Sequence, residues 1–121
     1  MRDQRKATRR TLMAFTPVYD SKRMTLLGYV RNLSLSGVML IGERTAESNE
    51  EKMLRIEFPN DVADFTSTHI NIPARVIWCQ QNENSKYFNI GVEFTQITPE
   101  HRQLIQTILV RYQFRQDMPN Y

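Results

Sequence analysis

Cysteine occurs once in this 121-residue chain, at Cys79. No internal disulfide can form, and a reducing cytoplasm is the natural compartment for such a sequence. One cysteine and two well-separated histidines, His69 and His101, also fall short of a structural zinc site, which takes four ligands in close pairs. The four glycines are scattered singly, so no glycine-rich phosphate loop is present. No apolar run approaches the roughly 18 residues that a membrane span needs. The first ten residues, MRDQRKATRR, carry charge without the apolar stretch of a signal peptide, so no leader is expected.

What remains is an ordinary globular composition. The chain is 40% hydrophobic and 24% charged, which excludes wholesale disorder. Its length fits one domain that buries roughly two-thirds of its unfolded surface. The charge is unevenly placed. Residues 1–31 hold eight basic and two acidic groups, while the other 90 hold eight basic and eleven acidic. A cationic front on a mildly acidic body points to a local anion site, although a solvated basic tail has the same composition. It does not point to coating of a polynucleotide, which needs basic groups over a broad face.

Residues 1–10 have no apolar periodicity and are expected to be a flexible basic arm. Short β-prone segments follow at 11–18, 24–33, 38–41, 53–58, 69–80 and 87–94, separated by turn clusters at 19–23 and 34–37 and polar loops at 43–52, 59–68 and 81–86. Six strands in so short a span predict a small antiparallel barrel or sandwich. Within 69–80, residues Ile70, Ile72, Ala74, Val76 and Trp78 form one alternating row. Thr98-Pro99-Glu100 is a helix start, with a capping hydroxyl, proline at the first helical position and an acid in the first turn. Leu104, Ile105, Ile108, Leu109 and Tyr112 then trace one apolar stripe of a helix over 99–115. The barrel and helix thus occupy 11–115, and 116–121 is expected to fray.

Catalysis finds little support. No nucleophile elbow is present, and His69 at a strand start and His101 in the first helical turn read as structural or surface groups. Glu50, Glu51, Asp61 and Asp64 solvate polar loops. The Asn32-Leu33-Ser34 sequon has no meaning without a secretion signal. Two short patterns stand out. One is Arg5-Lys6-Ala7-Thr8-Arg9, an R-x-x-x-R; the other is Asn32-Leu33-Ser34-Leu35-Ser36-Gly37, an N-x-S-x-x-G. Each is weak alone. In this order, on either side of a strand pair, they are more specific. Together with Pro73-Ala74-Arg75-Val76-Ile77-Trp78, Gly91-Val92-Glu93-Phe94 and the closing helix, they make the chain resemble the PilZ domain family of bacterial cyclic di-GMP receptors over nearly its whole length.

That resemblance implies a mainly β fold, a six-stranded antiparallel barrel with a C-terminal helix packed on it. It implies a non-enzymatic receptor without metal or cofactor, working in the bacterial cytoplasm. Cyclic di-GMP is its ligand, and it signals to an unidentified downstream protein. Arg5, Arg9, Asn32, Ser34 and Gly37 match the family's binding residues, with Gln4, Arg10 and Trp78 as secondary contacts. Gln4 stands where many members carry another arginine, which bears on how many nucleotides stack in one site.

The chemistry of the residues agrees. A guanidinium pairs with guanine O6 and N7 and stacks on the base, and guanine's N1–H and N2–H₂ want an oxygen opposite them. Asn32 and Ser34, two apart, leave the same strand face and can present two oxygens. Gly37 is expected to supply a positive φ in the turn. Arg5 and Arg9 span at most about 13–14 Å, short enough to bracket one ligand. The ligand would draw the arm onto the barrel and create a surface for the partner. The plainer readings are that Asn32, Ser34 and Ser36 only form a turn and that Trp78 belongs to the core or rim. Two rivals also stand: an adaptor binding a pilus, flagellar or secretion protein without nucleotide, and an RNA-binding barrel. The second needs exposed aromatics on a basic face, whereas the chain beyond residue 31 is net acidic.

Overall fold

Alternating apolar residues build most of this molecule into one rolled sheet. The structure, a computed structural model, describes residues 10–11, 16–58 and 69–113, with 10, 11 and 111–113 described for their backbone alone. In chain order the elements are β1 (Arg10–Thr11), β2 (Pro17–Asp20), β3 (Thr25–Leu33), β4 (Gly37–Gly42), β5 (Glu51–Glu57), β6 (His69–Gln81), β7 (Phe88–Phe94), α1 (Pro99–Arg111) and β8 (Tyr112–Gln113). Six of them close a barrel in the order β2-β3-β4-β7-β6-β5, and β5 returns to β2. Every pairing in it is antiparallel. The predicted fold class is therefore the observed one.

The interior is filled by one face of each strand. Val18, Val30, Leu40, Leu54, Ile56, Ile72, Ala74, Val76, Ile90 and Val92 share one buried cluster, and α1 adds Leu104, Ile105 and Ile108 to it. The helix starts as its sequence dictates. The Thr98 hydroxyl accepts the His101 N–H (3.1 Å), and the Thr98 N–H donates to His101 Nδ1 (3.2 Å). This is a reciprocal capping box with histidine in the place usually held by Glu or Gln. At the seam that closes β5 on β2, Lys52 Nζ lies 3.6 Å from Asp20 and 3.0 Å from Glu50. Its hydrogen bond holds the Glu50 carboxyl below the usual carboxylate range.

Three β-bulges bend the strands, at Leu27 and Arg31 in β3 and Ile77 in β6, where an extra residue interrupts the register. Bulges add bend and twist, which a barrel of only six strands requires in order to close. Pro73, in the middle of β6, costs no ladder bond: its carbonyl accepts the Thr95 N–H just past the end of β7, so its missing N–H faces a position where β7 has run out.

Several boundaries differ from expectation. Tyr19 and Asp20 are strand rather than turn, because they pair with both β3 and β5. Strand β5 begins at Glu51, inside the expected acidic loop, because Glu51 and Lys52 pair with Arg75 and Ala74. The helix ends at Arg111 rather than 115. Tyr112 and Gln113 leave it to pair in parallel with Arg10 and Thr11, so Tyr112 is not the end of the helical stripe. Residues 12–15, 59–68 and 114–121, with the expected frayed tail, lie outside the described residues. Among the described residues, no helix is long and apolar enough to cross a membrane.

Candidate functional site

The β3–β4 turn is built by its own side chains. Ser34 N–H donates to the Gly37 carbonyl at 2.9 Å, closing the hairpin. The Ser34 hydroxyl oxygen accepts the N–H groups of Ser36 (3.2 Å) and Gly37 (3.3 Å) and shares a 3.0 Å hydrogen bond with the Ser36 hydroxyl. The Ser36 carbonyl accepts the Phe94 N–H at 2.9 Å, which pins the turn to the end of β7. Ser34 is thus a turn former here, holding two backbone donors that would otherwise depend on water.

Gly37 carries a correction. It opens β4, and no glycine among the described residues has positive φ. The requirement is close approach: a Cβ at Gly37 would sit 2.2 Å from the Val92 carbonyl oxygen of β7. The strands pack so tightly beside the turn that a side chain has no room.

The turn forms one rim of an open groove of about 380 Å³ across the outside of β3, β4, β7 and β6. Two cross-strand rows make its floor. One runs Asn32–Met39–Gly91–Trp78 and the other Gly37–Glu93, with Arg75 opposite Glu93 on β6. Asn32 faces this groove because of a bulge. Gly28 and Val30 are buried, so strict alternation would turn Asn32 inward as well. The extra residue Arg31 reverses the phase, leaving Asn32 exposed and Leu33 buried. Asn32 and Ser34 then lie on one outer face, as their spacing predicts.

Trp78 carries the second correction. The row Ile70, Ile72, Ala74 and Val76 is buried, but Trp78 does not continue it. The bulge at Ile77 places Ile77 and Trp78 both outward, at 43% and 40% exposure, and gives the inward position to Cys79, opposite Ile90. Trp78 lines the groove with the N-x-S-x-x-G residues rather than the core.

Sequence reasoning did not single out Glu93, Gly91 or Met39 as groove residues. Glu93 holds the groove's one carboxylate among the described residues, paired with Arg75 at 3.3 Å, a half-exposed surface pair. The one sequence signal was local: Ile77 is a large apolar residue at a position that the alternation of β6 assigns to the outside. Beyond the Trp78 row, Arg31 donates to Asn89 (3.2 Å), whose amide in turn donates to Asn82. Gln4, Arg5 and Arg9 lie outside the described residues. Arg10 stands in β1, opposite Tyr112.

No curated protein matches the chain in sequence. A family model for the PilZ domain matches residues 3–111, nearly its whole length, and the chain therefore belongs to the PilZ domain family of cyclic di-GMP-binding receptors and adaptors.

Proposed function

We propose that this chain is a non-enzymatic receptor that binds cyclic di-GMP in the groove between the β3–β4 turn and Trp78. Arg5 and Arg9 reach the ligand from the N-terminal arm, and the ordered arm presents a surface to a protein partner in the bacterial cytoplasm. One observation carries this reading: the N-x-S-x-x-G turn and the chain's single tryptophan, more than 40 residues apart in sequence, line the same groove.

The ligand brings two phosphate charges and two purine faces. Arginines pair with the O6/N7 edge of guanine or with phosphate, an aromatic side chain offers a stacking surface, and the Asn32 amide oxygen can accept from guanine N1–H and N2–H₂. A calorimetric titration with cyclic di-GMP tests this and gives stoichiometry as well as affinity, which addresses Gln4. Cyclic di-AMP is expected to bind far more weakly, because adenine lacks both donors and leaves the acceptors of the site unpaired. Equal affinities would mean that only phosphate charge is recognised. No binding of cyclic di-GMP would favour the nucleotide-free adaptor.

A further inference from the structure

We infer that Gly91 is the seat of Trp78, a positioning residue that fixes the indole as a stacking surface for a purine base of the ligand; this rests on the cyclic di-GMP reading above. Gly91 points outward from β7, between Ile90 and Val92, which face the core. An outward residue in the middle of a strand is normally exposed, yet Gly91 is buried. The indole covers it. A Cβ at Gly91 would lie 2.3 Å from Trp78 Nε1, 2.3 Å from Cε2 and 2.8 Å from Cζ2. Its three nearest neighbours all belong to that one ring, so the missing side chain is replaced by the edge of the indole.

The arrangement has two parts. The Ile77 bulge turns Trp78 out of the barrel and brings it opposite Gly91 in the register. The bare backbone of Gly91 then leaves the space beside β7 that the ring occupies. The ring forms part of the groove floor, next to Met39 in the same row, and stays 40% exposed. A flat, partly exposed aromatic surface beside guanine-edge acceptors suits a purine, since stacking supplies affinity and hydrogen bonds supply choice of base. Any larger residue at 91 would displace the ring by more than an ångström, because contacts at 2.3 Å lie far inside van der Waals separation.

The test uses the full chain and four proteins: unaltered, Trp78→Ala, Gly91→Ala and the double variant. Trp78 is the only tryptophan, so intrinsic tryptophan emission reports on it alone. Without ligand, Gly91→Ala should raise the acrylamide quenching of that emission; unchanged quenching overturns the seat. With cyclic di-GMP, the emission of the unaltered protein should change on binding. Gly91→Ala and Trp78→Ala should each weaken binding by about tenfold, within the range of one stacked base. The double variant should be no weaker than Trp78→Ala. Losses that multiply would show that Gly91 acts independently of the indole and overturn the inference. If Gly91→Ala folds poorly, the double variant, in which the crowding atoms are gone, should recover the melting temperature of Trp78→Ala; failure to recover it overturns the inference equally. Absence of binding by the unaltered protein would instead overturn the ligand reading, and the quenching comparison would still decide the seat.

Discussion

Single side chains in the groove divide by charge. Arg5 and Arg9 carry the attraction for a dianion in the proposed complex. Arg5→Ala and Arg9→Ala should each weaken cyclic di-GMP binding by about 1–3 kcal/mol, the range for one bidentate guanine contact, with little change in melting temperature. An unchanged affinity in the double variant, measured by calorimetry, would remove both residues from the site. Glu93 has the opposite sign. Its carboxylate lies in the groove proposed to receive the ligand, and it engages Arg75. Glu93→Gln removes one repulsive charge and releases one guanidinium, so affinity should rise by a few-fold, and the gain should shrink as salt is added. A loss of affinity would instead mean that the carboxylate itself contacts guanine.

At the scale of elements, the β3–β4 turn is the part on which the proposed recognition would depend. The Ser34 oxygen holds two backbone N–H groups, and Ser36 ties the turn to β7. Ser34→Ala should therefore cost about 0.5–1.5 kcal/mol of stability, the worth of an ordinary hydrogen bond, visible in urea or thermal unfolding without ligand. A neutral effect on stability with a large loss of affinity would show instead that the hydroxyl serves the ligand directly. Bulges are the second device at this scale. Each inserts one residue, Arg31 in β3 and Ile77 in β6, and each sends the following side chain, Asn32 or Trp78, to the outer face. Bulges beside binding sites commonly re-aim side chains in this way.

Across the whole molecule, the arm and the helix end meet. Strand β1 begins one residue after Arg9 and pairs in parallel with β8, which begins one residue after α1. A ligand that draws Arg5 and Arg9 onto the groove should therefore be felt at 112–113 too. Amide hydrogen exchange with and without cyclic di-GMP should show protection rising at residues 4–11, 32–37 and 112–113, with little change over 99–110. Protection of residues 4–9 before ligand is added would defeat the proposal that ordering of the arm is the signal. Fixing each arm residue costs about 1–2 kcal/mol of backbone entropy, so a moderate, salt-sensitive affinity is expected.

Local chemistry determined the type and order of most elements of this protein, but not all of their bounds. Strand alternation from Ile70 to Val76, the Thr98-Pro99-Glu100 helix start and the Leu104–Ile105–Ile108 stripe all depend on neighbours within a few residues, and the structure has them. The two motifs were legible for the same reason, as was the shared face of Asn32 and Ser34, although the Arg31 bulge decided that this face is the outer one. Tertiary structure decided what depends on a partner strand. A bulge exists only in a pairing register, so the outward turn of Trp78 broke a period-two row that the sequence alone extends through it. The need for glycine at 37 comes from a carbonyl on β7, and the need for it at 91 from an indole on β6. Gly37 meets that carbonyl only because β4 pairs with β7, and Gly91 meets the indole only in the β6–β7 register that the Ile77 bulge sets.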